Sequence, residues 1–403
     1  MASRRDVRGS EASEPSSSSS LAIEMKSALQ LADKPEDEAS ESPETFLRRL
    51  LSTKSAVSTS SSLAKTQEAA VGQIRPFREI GTGSIGKVFE QPGTPFAFKL
   101  PLIDRTDKLW NHYIMNLRIQ KSLDSLGPIA GDIEVPRAVW FANKQSEFWD
   151  ENLKLFPTDP TFPRRRRDVL CMERVYPLPK TIRHAIVDVF CSPDLADGVK
   201  NSKSNKDCLV HLYLGRKRFG SSRRFFSLRN YKLHVDQMQS LELEAEPYTR
   251  TMASALAVLH WHTRIDALDI EFVLGSTPLD RNCIRRALPL HDIKQLKPGS
   301  STFEHTTNIS PNFRKRSVCL WLLDFDACSS ITMNSAGVEK AVKAFFDTAA
   351  YCPRPPSGDE YRKSLWNIFS EQYVSTGQRI TSGTALEKLP AQFIQGVPHR
   401  SAH

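Results

Sequence analysis

No stretch of the chain approaches the roughly 18 consecutive apolar residues that a membrane-spanning helix needs. The N-terminal MASRRDVRGSEASEPSSSSS lacks the apolar core of a secretory signal, and its charges run directly into serines. Seven Cys (171, 191, 208, 283, 319, 328 and 352) are scattered without a C-x-x-C pair, which argues against a disulfide framework and a zinc ribbon. His260 and His262 lie close together, but neither a Cys pair nor an H-x-x-x-H spacing accompanies them, so no zinc is expected. No internal repeat is visible. These absences point to an intracellular, reduced protein of the nucleus or cytoplasm, with no membrane partner. The net charge of +9 tolerates a phosphate-bearing ligand without specifying one.

What is present divides unevenly along the 403 residues. Residues 1–72 carry nine basic and eleven acidic groups, a single Phe and neither Trp nor Tyr. That composition buries too little apolar surface to offset chain entropy, so a disordered Ser/Ala/Glu-rich arm is expected there. One transient helix is expected at Thr45–Leu51, where TFLRRLL has helical spacing. Removing the arm leaves the remainder more basic than the whole.

Gly81-Thr-Gly83-Ser84-Ile-Gly86 is a G-x-G-x-x-G motif shared by dinucleotide-binding folds and kinases. A dinucleotide motif opens into a helix, whereas here Pro92-Gly93 and Pro95 interrupt the sequence before Phe96-Ala97-Phe98-Lys99-Leu100. Strand, turn and strand fit instead, the arrangement of a kinase glycine-rich loop. Alternation in the second strand puts Ala97 and Lys99 on one face. The small residue leaves room for a flat base, Val88 closes over it, and the ammonium reaches phosphates also held by the loop's backbone N–H groups. A glycine-containing hairpin with an exposed lysine is the plain alternative.

Thr249–His260 has the apolar spacing of a helix and runs into Arg264-Ile-Asp266-Ala-Leu-Asp269-Ile-Glu271-Phe-Val-Leu. Kinase catalytic loops read H-R-D-x-x-x-x-N before a short apolar strand. Asp266 takes the catalytic-base slot and Glu271 the slot of the metal-binding Asn. Val318-Cys-Leu-Trp-Leu-Leu-Asp324-Phe-Asp326 ends an apolar strand in a variant of D-F-G, with Asp324 as a Mg²⁺ ligand. Between Lys99 and that helix, Leu170-Cys-Met-Glu173-Arg-Val-Tyr-Pro reads as a linker that meets the nucleotide at Glu173. Either carboxylate could instead terminate an ordinary strand or turn. The order of all the parts is that of a kinase.

Several features depart from that pattern. Asp107–Leu126 is an amphipathic helix in the place of the kinase regulatory helix, yet it holds no Glu to pair with Lys99, leaving Gln120 or Asn116 as neutral partners. His-Arg is missing before Asp266, and no A-P-E follows Asp324. Arg164–Arg167 and Arg216-Lys-Arg218 with Arg223-Arg224-Phe-Phe mix cations and aromatics, as single-strand binders do. Solvated loops account for them more simply, since no nucleic-acid motif accompanies either cluster.

RIDALDIEFVLG, CLWLLDFDAC, LYLGRKR with FFSLRNYKL, and YCPRP together resemble a fungal family of domains of unknown function whose members are often filed as zinc finger proteins. The resemblance runs from about Ile74 to Phe369 and implies a domain of undetermined activity. With the motifs above, the expected fold is α+β, a bilobal protein-kinase-like or aminoglycoside-phosphotransferase-like skeleton with a small β-rich N-lobe and a larger, mainly helical C-lobe. The N-lobe and hinge are expected at 73–175 and the C-lobe at 176–380. Loop insertions are expected near 192–205 and 276–313, with a loose tail at 381–403. The expected ligands are ATP and Mg²⁺, with another protein as a second candidate partner. Two functional readings stand side by side, a phosphotransferase and a pseudokinase that binds without turnover.

Overall fold

The computed structural model of the chain describes residues 42–51, 56–58, 62–102, 105–218, 225–279, 287–304, 312–355 and 359–401. The expected disorder of residues 1–41 lies outside them, as do Arg223, Arg224 and Cys283. The described residues form a mixed α+β structure with two sheets and twelve α-helices. In chain order these begin with helix α1 (Pro43–Leu50), strand β1 (Ala56–Ser58) and helix α2 (Ser62–Ala70). Strands β2 (Arg78–Thr82), β3 (Gly86–Glu90) and β4 (Phe96–Pro101) precede helix α3 (Thr106–Leu126). Then come β5 (Ile133–Glu134), β6 (Ala138–Ala142), α4 (Phe148–Asn152) and β7 (Val169–Glu173).

The first sheet has the order β2-β3-β4-β7-β6 and is antiparallel throughout. Phe96, Phe98 and Leu100 point from β4 into an aromatic core with Phe77, Phe89, Trp140, Phe148 and Phe156, where Phe77 and Phe156 stack at 4.0 Å. Burial of these rings sets the register, because a one-residue slip would turn β4 inside out. Two glycines are required by backbone geometry. A Cβ on Gly86 would stand 2.2 Å from Leu100 O, and Gly93 has φ +89° with Ala70 O 2.6 Å from its missing Cβ.

The second part contains α5 (Lys180–Phe190), α6 (Pro193–Asn201), β8 (Val210–Tyr213), β9 (Tyr231–His234), α7 (Val235–Ser240), α8 (Glu246–Ala257), β10 (Glu271–Pro278), α9 (Leu290–Ile293), β11 (Lys315–Leu323), α10 (Ser335–Asp347), α11 (Glu360–Thr381) and α12 (Leu389–Ser401). Its sheet has the order β1-β11-β10-β8-β9, with β5 pairing parallel to β11. The core beneath is one continuous cluster that includes Met252, Leu256, Phe272, Phe369 and Phe393. None of the described helices is long and apolar enough to cross a membrane.

Four local expectations are corrected. The described parts of the N-terminal region, 42–51, 56–58 and 62–72, are not a free arm. Leu47 and Leu51 are fully buried in the second core, β1 pairs with β11, and Gln67 of α2 accepts from Gly93 N at 2.7 Å. Composition averaged over 72 residues hid these few anchoring side chains. Ser192–Asn205 is the helix α6 and a 3₁₀ turn, with Val199 and Asn205 buried. Within 276–313, β10 continues to Pro278, and Thr302 exchanges hydrogen bonds with Phe141 (2.7 and 2.9 Å), covering the outer edge of β6. The tail holds α12, whose Phe393 and Val397 are completely buried.

Candidate functional site

A cleft of about 230 Å³ opens between the two sheets, and the glycine hairpin, β4 and the end of β11 all face it. Of the residues singled out from sequence, Gly81, Gly83, Ser84, Gly86, Val88, Ala97, Lys99, Glu173, Glu271 and Asp324 line it. The hairpin is tight, with Gly83 N donating to Gly86 O at 2.9 Å. Gly83 has nothing within 4 Å of its missing Cβ, and Gly81 only Val88 at 3.6 Å, so neither glycine is imposed by the protein's own packing. Val88, Ala97 and Met172 supply the apolar walls. Glu173 is buried at the end of β7, with its Oε2 accepting from Arg137 N at 3.1 Å.

Lys99 is the centre of the polar end. Its Nζ donates to Asp324 Oδ1 at 2.7 Å and Asp326 Oδ2 at 2.8 Å, and lies 3.3 Å from His112 Nδ1. Burial opposes the ammonium, but Asp324 and Asp326 outweigh it and hold its pKa above the ordinary value. Burial and the adjacent Lys99 push His112 down to about 4. The imidazole is therefore neutral at pH 7, and its Nδ1 accepts from the lysine. Burial works against ionised Asp324 too, yet Lys99 holds it well below the usual carboxylate range. Burial pushes Asp326 up; Lys99 offsets this only in part, and Asp324 adds to it.

His112 thus stands where a neutral partner for Lys99 was expected from Gln120 or Asn116, which is a correction. Those two side chains bond to Pro136 O at 3.0 and 2.9 Å, and Asn116 Oδ1 accepts from Ala138 N at 3.2 Å, fastening α3 to the start of β6. The sequence signal for His112 was its place one helical turn before Asn116 on the same face.

Glu271 begins β10, directly opposite Leu323 of β11, and so stands beside Asp324. Burial, then Asp324 and Asp269, raise its pKa to about 7. Tyr351, from the YCPRP segment, hydrogen-bonds to it, and His211 Nδ1 lies 2.9 Å from Tyr351 Oη. Asp266 does not line this cleft. It is 2 % exposed, and its carboxylate accepts from Ser329 N at 2.8 Å, Ser329 Oγ at 2.6 Å and Leu268 N at 3.3 Å. Asp269 is the exposed carboxylate of the loop. Its backbone is left-handed (φ +61°), with its N–H held by Thr348 Oγ1 at 2.9 Å. Burial and the charge of Asp324 raise its pKa, and Lys99 opposes them. Sequence spacing alone did not separate Asp266 from Asp269, because backbone conformation decides which of the two turns outward.

A family of domains of unknown function, described as "zinc finger protein", matches residues 320–385. The matched segment runs from β11 through α10 and α11 and includes Asp324, Asp326 and Tyr351. It contains two cysteines, Cys328 and Cys352, and no histidine. Burial raises both thiols above their ordinary pKa. No curated protein matches the chain.

Proposed function

We propose that the chain is an ATP- and Mg²⁺-binding protein of protein-kinase-like architecture that transfers a phosphoryl group to a hydroxyl of a small molecule or protein. The observation that carries this reading is the meeting of Lys99 and Asp324, 225 positions apart, beneath a glycine hairpin that leaves open space at Gly83. The residues fit a nucleotide: apolar walls for a base, a buried cation for phosphates, and a hairpin that a backbone-hugging ligand can approach. They also fit Mg²⁺, a hard cation that takes carboxylate oxygens, with Asp324 and Glu271 as its holders. The metal would screen the phosphate charge.

Phosphoryl transfer depends mainly on positioning and electrostatics. Lys99 would orient the phosphates, and His112 keeps the lysine in place without adding charge. In the transfer, the acceptor oxygen bonds to the terminal phosphorus as its bond to the bridging oxygen breaks and ADP departs. The hydroxyl proton needs an accessible carboxylate. Asp269 meets that need, whereas Asp266 in the expected base slot is committed to Ser329. Asp266 would then position the loop that carries Asp269.

Asp326 favours a second reading, the pseudokinase. A glycine in its place would leave Lys99 with one carboxylate, while Asp326 gives it a second and competes with phosphates. Thermal unfolding with ATP and Mg²⁺ tests both readings on wild type, Lys99→Ala and Asp324→Asn. Ligand at about 100 times its Kd stabilises by ~2.7 kcal/mol. A shift is expected for wild type and not for the variants, and no shift for wild type removes both readings. ADP release that is lost in Asp269→Asn while the nucleotide shift remains identifies the enzyme.

A further inference from the structure

Arg216, from the Arg216-Lys-Arg218 cluster, lies over Tyr213 of β8, whose sheet continues from the cleft. In β8, His211 and Tyr213 point to the same side, and the register pairs them with Lys232 and His234 of β9 and pairs His211 with Val273 of β10. Two residues before Val273 is Glu271 of the cleft, 3.9 Å from His211 Nδ1. One surface therefore leads from Glu271 through His211 to Tyr213.

Arg216 and Lys232 both lie over the ring of Tyr213, each 5.4 Å from its centroid. The ring itself is buried and packs on Tyr351 at 4.8 Å and on His234 at 5.2 Å. The carboxylates nearby are committed elsewhere. Asp359 takes Lys217 at 2.6 Å, and Asp236 accepts the backbone N–H of Arg218 at 2.7 Å. Among the described residues neither Arg216 nor Lys232 has a carboxylate partner. Their charge is felt by the groups around them. After burial, Lys232 is what lowers the pKa of His211, and Arg216 contributes to the lowering at Arg354. A stacked guanidinium and an ammonium on one rigid aromatic platform, both with donors to spare, form a receptor for an anion.

We propose that Arg216 and Lys232 form an anion-binding subsite for the phosphate or carboxylate group of a small acidic molecule whose hydroxyl enters the cleft. As the site of the acceptor, it rests on the phosphotransferase reading. As an anion site, it rests only on the geometry of β8 and β9. The acceptor's charged group would sit on the β9 side of Glu271, away from the glycine hairpin.

The full chain is titrated at low salt with inorganic phosphate, with succinate, and separately with ATP and Mg²⁺. Wild type, Arg216→Ala, Lys232→Ala and Lys99→Ala are compared by thermal unfolding and calorimetry. Arg216 and Lys232 are exposed, so both variants are expected to fold as wild type does. The expected result is phosphate or succinate affinity weakened about ten-fold in each of these variants, with ATP–Mg²⁺ affinity unchanged and phosphate affinity retained in Lys99→Ala. Phosphate preferred over succinate identifies the charged group as a phosphate, and the reverse as a carboxylate. Failure of both anions to bind wild type overturns the proposal, as does binding lost only in Lys99→Ala. Polyuridylate binding through the same two residues more tightly than either anion also overturns it. If ATP leaves wild type unshifted while phosphate still binds through Arg216 and Lys232, the phosphotransferase reading fails and the anion site stands.

Discussion

Asp326 Oδ2 lies 2.8 Å from Lys99 Nζ, which also donates to Asp324 Oδ1 at 2.7 Å, so one buried cation serves two neighbouring carboxylates. A polyphosphate approaching Lys99 meets a site whose positive charge is already more than balanced. Replacing Asp326 by Asn keeps the shape and removes one negative charge. Charges this close interact by several kcal/mol at the effective dielectric of a partly buried site, so a gain of about ten-fold or more in ATP affinity is expected. Calorimetric titration of Asp326→Asn against wild type measures it. An unchanged Kd would show that Asp326 does not compete with phosphates.

Glu271 gives the cleft a pH dependence whose sign follows from its raised pKa. The folded protein holds the Glu271 proton up to about pH 7, whereas an unfolded Glu releases it near its model value of 4.5. Between these values the folded state binds the extra proton, so rising pH removes stability across the window. The destabilisation is absent below pH 4.5 and fully present above 7. Glu271→Gln should therefore melt at a higher temperature than wild type at pH 8 and at the same temperature at pH 4. Mg²⁺ affinity should move the opposite way and strengthen as Glu271 ionises. Calorimetric melting curves and Mg²⁺ titrations at pH 6 and 8 check both arms. A variant that melts with wild type at pH 8 would falsify the raised pKa.

Glu90 holds the back of the cleft together. Buried at the end of β3, it pairs with buried Arg174 and with Arg78, accepts from Gln67 Nε2 at 3.1 Å, and is linked through Arg78 to Asp207 at 2.5 Å. These partners come from the first sheet, α2, the linker after β7 and the segment before β8. Removing the carboxylate leaves buried Arg174 with only the longer contact to Asp207 at 3.6 Å, so the loss should approach the about 3–5 kcal/mol of a broken buried pair. Urea unfolding of Glu90→Ala should show that loss, and the double variant Glu90→Leu with Arg174→Met should recover much of it. A loss below about 1 kcal/mol, typical of an exposed pair, would mean that water replaces the partner.

The alternation of Phe96, Ala97, Phe98 and Lys99 and the breakers Pro92-Gly93 made the glycine hairpin and the facing of Lys99 legible, because strand periodicity is a local property. The strand leading to Asp324 was legible for the same reason. His112, Asp326 and Asp269 were not, since each acquires its place from contacts between distant segments or from a left-handed backbone that no spacing rule predicts. The anchoring of α1 and α2 was equally hidden. Two leucines and one glutamine fix those helices, and none of them changes the average composition of the region around them.

The C-terminal helix carries the clearest difference between composition and packing. GQRITSGTALEKLPAQFIQGVPHR reads as polar and interrupted, with Pro390 at the start of α12 and Pro398 near its end. Yet Phe393 has no exposed surface. Its ring stacks on Tyr373 at 4.7 Å and meets His260 at 4.9 Å and Phe345 at 5.8 Å. His260 in turn lies 2.6 Å from Tyr373 Oη and sits in the turn that leads into the loop of Asp266 and Asp269. Truncating a buried Phe to Ala costs about 3–5 kcal/mol through lost transfer energy and the cavity left behind. Phe393→Ala should show that loss in urea unfolding. Because the cavity borders His260, nucleotide turnover should fall as well, while ATP–Mg²⁺ binding remains, since neither Phe393 nor His260 lines the cleft. An exposed, loosely attached tail would give a change within about 0.5 kcal/mol, as surface substitutions do, and that result would detach α12 from the core.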